Sequence, residues 1–181
     1  MSLPADYLAV LEHLGRAFLA YRRATSTDAV LVGGAATALS TAGAFMSADF
    51  DVVAAEDQAF AAAMKHAGFI AENGTGHLAG GFYHPNYSHY AVEQVTGPVF
   101  DGLADRRRML RLVLKEDSEI IIPAVEDLIA DRLGQHAIAS PADRSRLDQA
   151  QALFKMADGI DRRYLVKRIV EEGGDPALIG L

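Results

Sequence analysis

The run Asp28-Ala29-Val30-Leu31-Val32-Gly33-Gly34-Ala35-Ala36-Thr37-Ala38-Leu39-Ser40, followed after a connector of small residues by Ser47-Ala48-Asp49-Phe50-Asp51-Val52-Val53, decides how this chain is read. Residues 29–32 are apolar but too few for a helix before paired glycines, so they predict a buried strand. The small helix formers of residues 35–40 predict a helix packed closely on a sheet and ended by Gly43. Asp49 and Asp51 then stand at i and i+2 in an otherwise apolar segment. On a strand both carboxylates leave one face with Cα atoms roughly 6.5 Å apart, close enough to share divalent cations.

Upstream, Tyr7, Leu8, Leu11, Leu14 and Phe18 recur at three- and four-residue spacing and predict an amphipathic helix over residues 4–24. Downstream, Glu56 and Asp57 open a helix closed by Gly68. Residues 69–71 predict a short strand before a loop containing Gly74, Gly76, Gly80 and Gly81. Residues 82–84 and 89–95 read as a hairpin around the turn Pro85-Asn86-Tyr87-Ser88, and residues 109–114 and 119–122 as a second. After Pro123 the pattern is helical throughout, with stripes Val125, Leu128, Ile129, Leu133 and His136, then Leu147, Ala150, Leu153 and Phe154, then Tyr164, Leu165, Ile169 and Val170. The fold class expected is α/β (α+β): a mixed, mostly antiparallel sheet flanked by helices, with a C-terminal helical bundle. Residues 1–122 would form the core and 123–181 a helical region packed on it as one compact unit.

The 181 residues suffice for one sizeable core. A formal charge of −7 argues against a broad, non-specific nucleic-acid binder. The absence of cysteine removes disulfides, thiolate zinc sites and cysteine nucleophiles. With no apolar run of membrane-spanning length and no secretory leader pattern, a cytoplasmic protein with no membrane partner is expected.

Two carboxylates on a strand beside a glycine turn that exposes backbone N–H groups at a helix start suit metal-bound phosphates. Amides and helix dipole take the anion while the acids hold the cations. A two-metal arrangement calls for a third carboxylate on a neighbouring strand, and Glu93 is the candidate. Arg106-Arg107-Arg108 reads as a solvated basic turn, although it has the chemistry to reach a phosphate. His77, His84 and His89, with Asp101 in sequence reach, fit no zinc spacing. Tyr83, Tyr87 and Tyr90 read as hairpin-stabilising aromatics. Arg132, Arg144 and Lys155 lie on the tail helices, from which one would face the cleft, and Asp127 and Asp131 read as members of surface ion pairs.

The segment from Leu31-Val32-Gly33-Gly34 through Ser47-Ala48-Asp49-Phe50-Asp51 resembles the signature of the nucleotidyltransferase superfamily that includes DNA polymerase β. It is most similar to the small bacterial branch related to AbiEii-type toxins. Phe82-Tyr83-His84-Pro85 with Ala91-Val92-Glu93, and the tail from Val125-Glu126-Asp127-Leu128 through Arg144 to Ala150, resemble segments of uncharacterised members of that branch. The resemblance implies that Gly33, Gly34 and Ser47 contact the triphosphate and that Asp49 and Asp51 ligate Mg2+, with Glu93 completing a catalytic set of three acids. It departs from the pattern at Gly34, where many members carry serine, and at Glu93, where the third acid is usually aspartate.

The activity implied is Mg2+-dependent transfer of a nucleoside monophosphate from a nucleoside triphosphate to a hydroxyl on protein or RNA, in a toxin–antitoxin context with a cognate antitoxin as partner. The alternative, favoured by Glu93, is a catalytically degenerate nucleotide-binding or partner-binding domain of the same fold. A metal-dependent phosphohydrolase using the same acids is a third reading.

Overall fold

A computed structural model of the chain describes residues 3–72 and 81–181; Gly74, Gly76, Gly80 and His77 lie outside the described residues. The architecture is α/β. The order begins α1 (Ala5–Thr25), β1 (Val30–Val32), α2 (Gly33–Ser40), β2 (Asp49–Val53), α3 (Asp57–His66), β3 (Ile70–Ala71), β4 (Gly81–Tyr83) and β5 (Ala91–Val95). It continues through the hairpin β6 (Leu110–Lys115) and β7 (Ser118–Ile122) to α4 (Val125–Ile138), α5 (Ser145–Met156) and α6 (Arg162–Glu171). Five strands form one sheet in the order β1-β2-β5-β4-β3, in which β2 and β5 run parallel and every other pair antiparallel. This is the mixed, mostly antiparallel sheet expected from the sequence, with helices after it. The hairpin β6-β7 stands as a separate two-stranded ladder.

The two faces of the sheet explain where a site can form. Leu31, Phe50, Val52, Val92 and Phe82 alternate onto one face and are buried against Tyr7, Leu11, Leu14 and Phe18 of α1 and Phe60 and Met64 of α3 in the main core. That cluster continues through Leu128, Ile129 and Leu133 of α4, Leu153 of α5 and Leu165 and Ile169 of α6. On the other face the row Val30–Val53–Val95 packs with Val99, Phe100 and Ile121 into a second, smaller cluster. One step along, the row becomes Val32–Asp51–Glu93–Gly81, and polar groups replace apolar ones.

α1 lies close against β7 because Gly15 leaves room for it. A Cβ there would fall 2.3 Å from Ser118 Oγ, and that hydroxyl donates to Glu12 O at 2.8 Å across the junction. α1 ends at Ser26, whose left-handed backbone lets its N–H return to Arg22 O. α2 begins at Gly33 itself, earlier than the helix-forming run at residue 35 suggests, because Gly33 at φ +66° turns the chain directly out of β1.

The acids of α4 depart from the surface pairs expected of them. Asp127 belongs to no surface pair: it is 0% exposed, receives Arg168 Nε at 2.7 Å and is bonded by the Tyr164 hydroxyl. Asp131 does pair with Arg132, but both side chains are largely buried. A helical stripe seen from the sequence shows only its apolar members, so a carboxylate that turns inward to meet an arginine from 41 residues further on is invisible there.

Candidate functional site

β1, α2 and β2 build one wall of a cleft of about 530 Å³, and the site residues expected from the sequence all line it: Gly33, Gly34, Ser47, Asp49, Asp51 and Glu93. On β2, Phe50 and Val52 point into the core, which forces Asp49 and Asp51 to the opposite face. Glu93 is the partner of Asp51 in the parallel β2–β5 register, so its side chain leaves the same face one strand away. Across Glu93 on β4 stands Gly81, which contributes no side chain to the row.

The glycine turn is fitted to these acids. A Cβ on Gly33 would lie 2.2 Å from Asp51 Oδ2, so only glycine lets the turn approach that carboxylate. A Cβ on Gly34 would lie 2.8 Å from Ser47 Oγ. Ser47 thus occupies the space that a side chain at position 34 would fill, and its hydroxyl reaches Asp49 O at 3.0 Å, fixing the start of β2. The first turn of α2 has no side-chain cap, which leaves backbone N–H donors at its end.

Burial pushes the Asp51 carboxyl above its ordinary acidity range, and the charge of Asp49 adds to the shift, while Arg132 and Arg146 oppose it. Among the described residues no three His, Asp or Glu side chains are gathered so as to hold a metal ion; Asp49 and Asp51 stand as a pair with Glu93 beside them.

The facing wall comes from the segment after β5 and from the tail helices: Phe100, Asp101, Asp131, Arg132, Gln135, Arg146 and Glu172. Phe100 (φ 48°) and Asp101 (φ 52°) are consecutive left-handed residues without being glycine, a costly backbone that delivers Asp101 to the cleft. Burial raises the Glu172 carboxyl, with Asp131 and Asp101 adding to it against the pull of Arg168.

Of the tail cations considered from the sequence, Arg132 reaches the cleft, whereas Arg144 and Lys155 are exposed outside its lining. Arg146 was not among them. Its signal was its position: residues 146, 150 and 153 fall on one helical stripe, so Arg146 continues the buried line of Ala150 and Leu153.

His84 and His89 serve other purposes. His84 packs against His13 with ring centroids 4.1 Å apart and accepts Asn86 N–H, and His89 meets Asp6 at 3.1 Å. Tyr90 meets the Tyr7 and Phe50 rings edge-on inside the core. Arg107 is solvated, with its side chain 90% exposed beside Asp105, but Arg108 bonds Asp161 and lies over the Tyr164 ring.

No family model matches the chain, and no curated protein matches it either. Among the described residues, no helix is long and apolar enough to cross a membrane.

Proposed function

We propose that this protein is a nucleotidyltransferase that moves a nucleoside monophosphate from a nucleoside triphosphate to a hydroxyl on RNA or protein. The observation that carries the proposal is the register of β2 and β5, with Asp51 beside Glu93 and Asp49 two residues along, under a glycine turn that touches Asp51.

The donor set suits magnesium: it is all carboxylate oxygen, and the Asp51 carboxyl, raised first by burial and further by the charge of Asp49, is one whose ionised form a bound cation stabilises. Bound there, Mg2+ would neutralise the phosphates and stabilise the negative charge developing on the pyrophosphate leaving group. Glu93, one methylene longer than aspartate, has to turn toward the pair for all three acids to share an ion. The uncapped N–H groups of α2 and the Gly33-Gly34 backbone take phosphate oxygens, with Ser47 supplying a hydroxyl next to Gly34. In the transfer, the acceptor oxygen bonds the α-phosphorus as the bond to the bridging oxygen breaks. Pyrophosphate leaves with that electron pair, and the acceptor's proton passes to a carboxylate of the sheet wall. The chain's contribution is positioning and fixed charge. A cognate antitoxin or other partner protein would regulate an enzyme of this kind.

Glu93 favours a second reading, a nucleotide-binding domain that has lost in-line geometry. Incubation with labelled nucleoside triphosphates, Mg2+ and cell extract separates the two, with Asp49→Asn/Asp51→Asn protein alongside. Label transferred to a macromolecule by the wild type only supports the enzyme; binding without transfer supports the degenerate domain, and free phosphate supports hydrolysis. A thermal shift by Mg2+-nucleoside triphosphate that the double variant abolishes is the expected first result. No nucleotide binding at any Mg2+ concentration sinks the proposal.

A further inference from the structure

The two walls of the cleft hold their charges differently. The sheet wall presents Asp49, Asp51 and Glu93. On the helical wall, the Arg132 guanidinium is only 3% exposed and is committed to Asp131, and Glu172 is bonded by Arg168. Arg146 is different. It lines the cleft, is half-buried and makes no ion pair among the described residues. Asp143 is near enough for Arg146 to help lower its carboxyl, secondary to the bonds from Ser145, without pairing with it.

That placement is unfavourable for the chain by itself. Arg146 lies in the first turn of α5, where the helix dipole disfavours a cation, and partial burial removes some of its hydration. A half-buried guanidinium that lines a cleft and pairs with no carboxylate among the described residues is matched to an anion from outside the chain. Its planar fork of donors suits paired phosphate oxygens. It stands across from Asp51, near enough that its charge opposes the rise of that carboxyl.

We propose that Arg146 is an anion arm that receives the β- and γ-phosphates of the nucleotide, opposite the Asp49–Asp51 pair. This rests on the nucleotidyl-transfer reading for the identity of the ligand, and it divides the labour of the cleft. The sheet wall manages the reacting phosphorus, and the helical wall holds the part that leaves as pyrophosphate. Arg132 cannot serve in its place while it is bonded to Asp131 and to Gln149.

The test is calorimetric titration of full-length wild type, Arg146→Ala and Arg146→Lys with Mg2+-tripolyphosphate, with each of the four ribonucleoside triphosphates and with their monophosphates. Far-UV circular dichroism and melting serve as fold controls. Arg146→Ala should weaken tripolyphosphate and triphosphate binding about tenfold or more, the loss of a charge-assisted contact, and change monophosphate binding less than about twofold; Arg146→Lys should fall between. Triphosphate binding by the wild type with an unchanged triphosphate-to-monophosphate ratio in Arg146→Ala overturns the arm and leaves the nucleotide reading standing. Arg146-dependent tripolyphosphate binding with no nucleotide binding keeps the arm and removes the nucleotide reading. Wild-type protein that binds neither overturns both.

Discussion

Asp51 concentrates the conflict built into the cleft. Its carboxylate is half-buried, pressed on the Gly33 backbone and two residues from Asp49 on the same strand face. Burial first and Asp49 second raise its pKa in the folded state above the unfolded value. Between those two values the folded chain therefore holds more protons than the unfolded one, and its stability falls as pH climbs through that window. Above it, the ionised Asp51 is a standing penalty. Asp51→Asn is expected to be more stable than wild type at neutral pH without ligand, by about 0.5–2 kcal/mol, the usual gain when a strained, half-buried charge is removed. Urea unfolding at neutral pH and again near pH 4 checks it, since the gain should shrink on acidification. A variant less stable than wild type at neutral pH would show that Asp51 holds the turn together when ionised. Much of this residue pattern was legible in the sequence, because strand alternation alone places Asp49 and Asp51 on one face. The contribution of Ser47 beside Gly34 was not, since it depends on a loop closing residues 41–48 back onto the turn.

At the scale of elements, the junction of α4 and α6 carries a buried charged seam beside its apolar contacts. Arg168 is 0% exposed and bonds Asp127, Glu171 and Glu172. Burial works against its charge, but the three carboxylates outweigh it and hold the guanidinium protonated; burial pushes Asp127 up despite the pull of Arg168 and Tyr164. Removing one partner leaves the other buried and uncompensated. Arg168→Met should therefore cost about 3–5 kcal/mol, and Asp127→Leu/Arg168→Met should recover much of the loss. Chemical denaturation of the three proteins measures this, and a double variant as unstable as the single would sink the buried-pair account. Glu172 ties the junction to the cleft, because its backbone oxygen would lie 2.6 Å from a Cβ on Gly134 while its side chain lines the cleft. The helices of this region were legible as stripes of Leu, Ile and Val. Their polar seam was not: the pairing of Asp127 with Arg168 and of Asp105 N–H with Tyr164 depends on which helix faces which, and that is set by packing over long separations. Arg146 was missed for a related reason. It forms no ion pair among the described residues, and only the assembled neighbourhood reveals that.

For the whole molecule, the cleft exists only where sheet and tail meet. One wall carries Asp49, Asp51 and Glu93 and the other Arg132, Arg146 and Glu172. The same dependence holds for the apolar core, in which Tyr7 and Phe18 of α1 share a cluster with Leu133 of α4 and Ile169 of α6. Division of the chain at Pro123 would uncover Leu128, Ile129 and Leu133 on one side and the sheet-facing apolar groups on the other. The chain is therefore expected to unfold as one cooperative unit, with a urea dependence of about 2 kcal/mol per molar and with all probes coincident. No tryptophan is present, so the local probe is the near-UV circular dichroism of the tyrosines, dominated by the immobilised rings of Tyr7 and Tyr21, both 0% exposed on α1. Far-UV circular dichroism follows the helices, including α4, α5 and α6. If the helical signal melts before the tyrosine signal, the tail is an independent unit that docks on the sheet. The cleft would then open by undocking, without unfolding of the strands that carry the acids. If the two curves superimpose, the acids and the facing arginines are held in one folding unit. Ligand binding at the cleft should then raise the stability of both signals equally, by an amount set by ligand concentration over its dissociation constant.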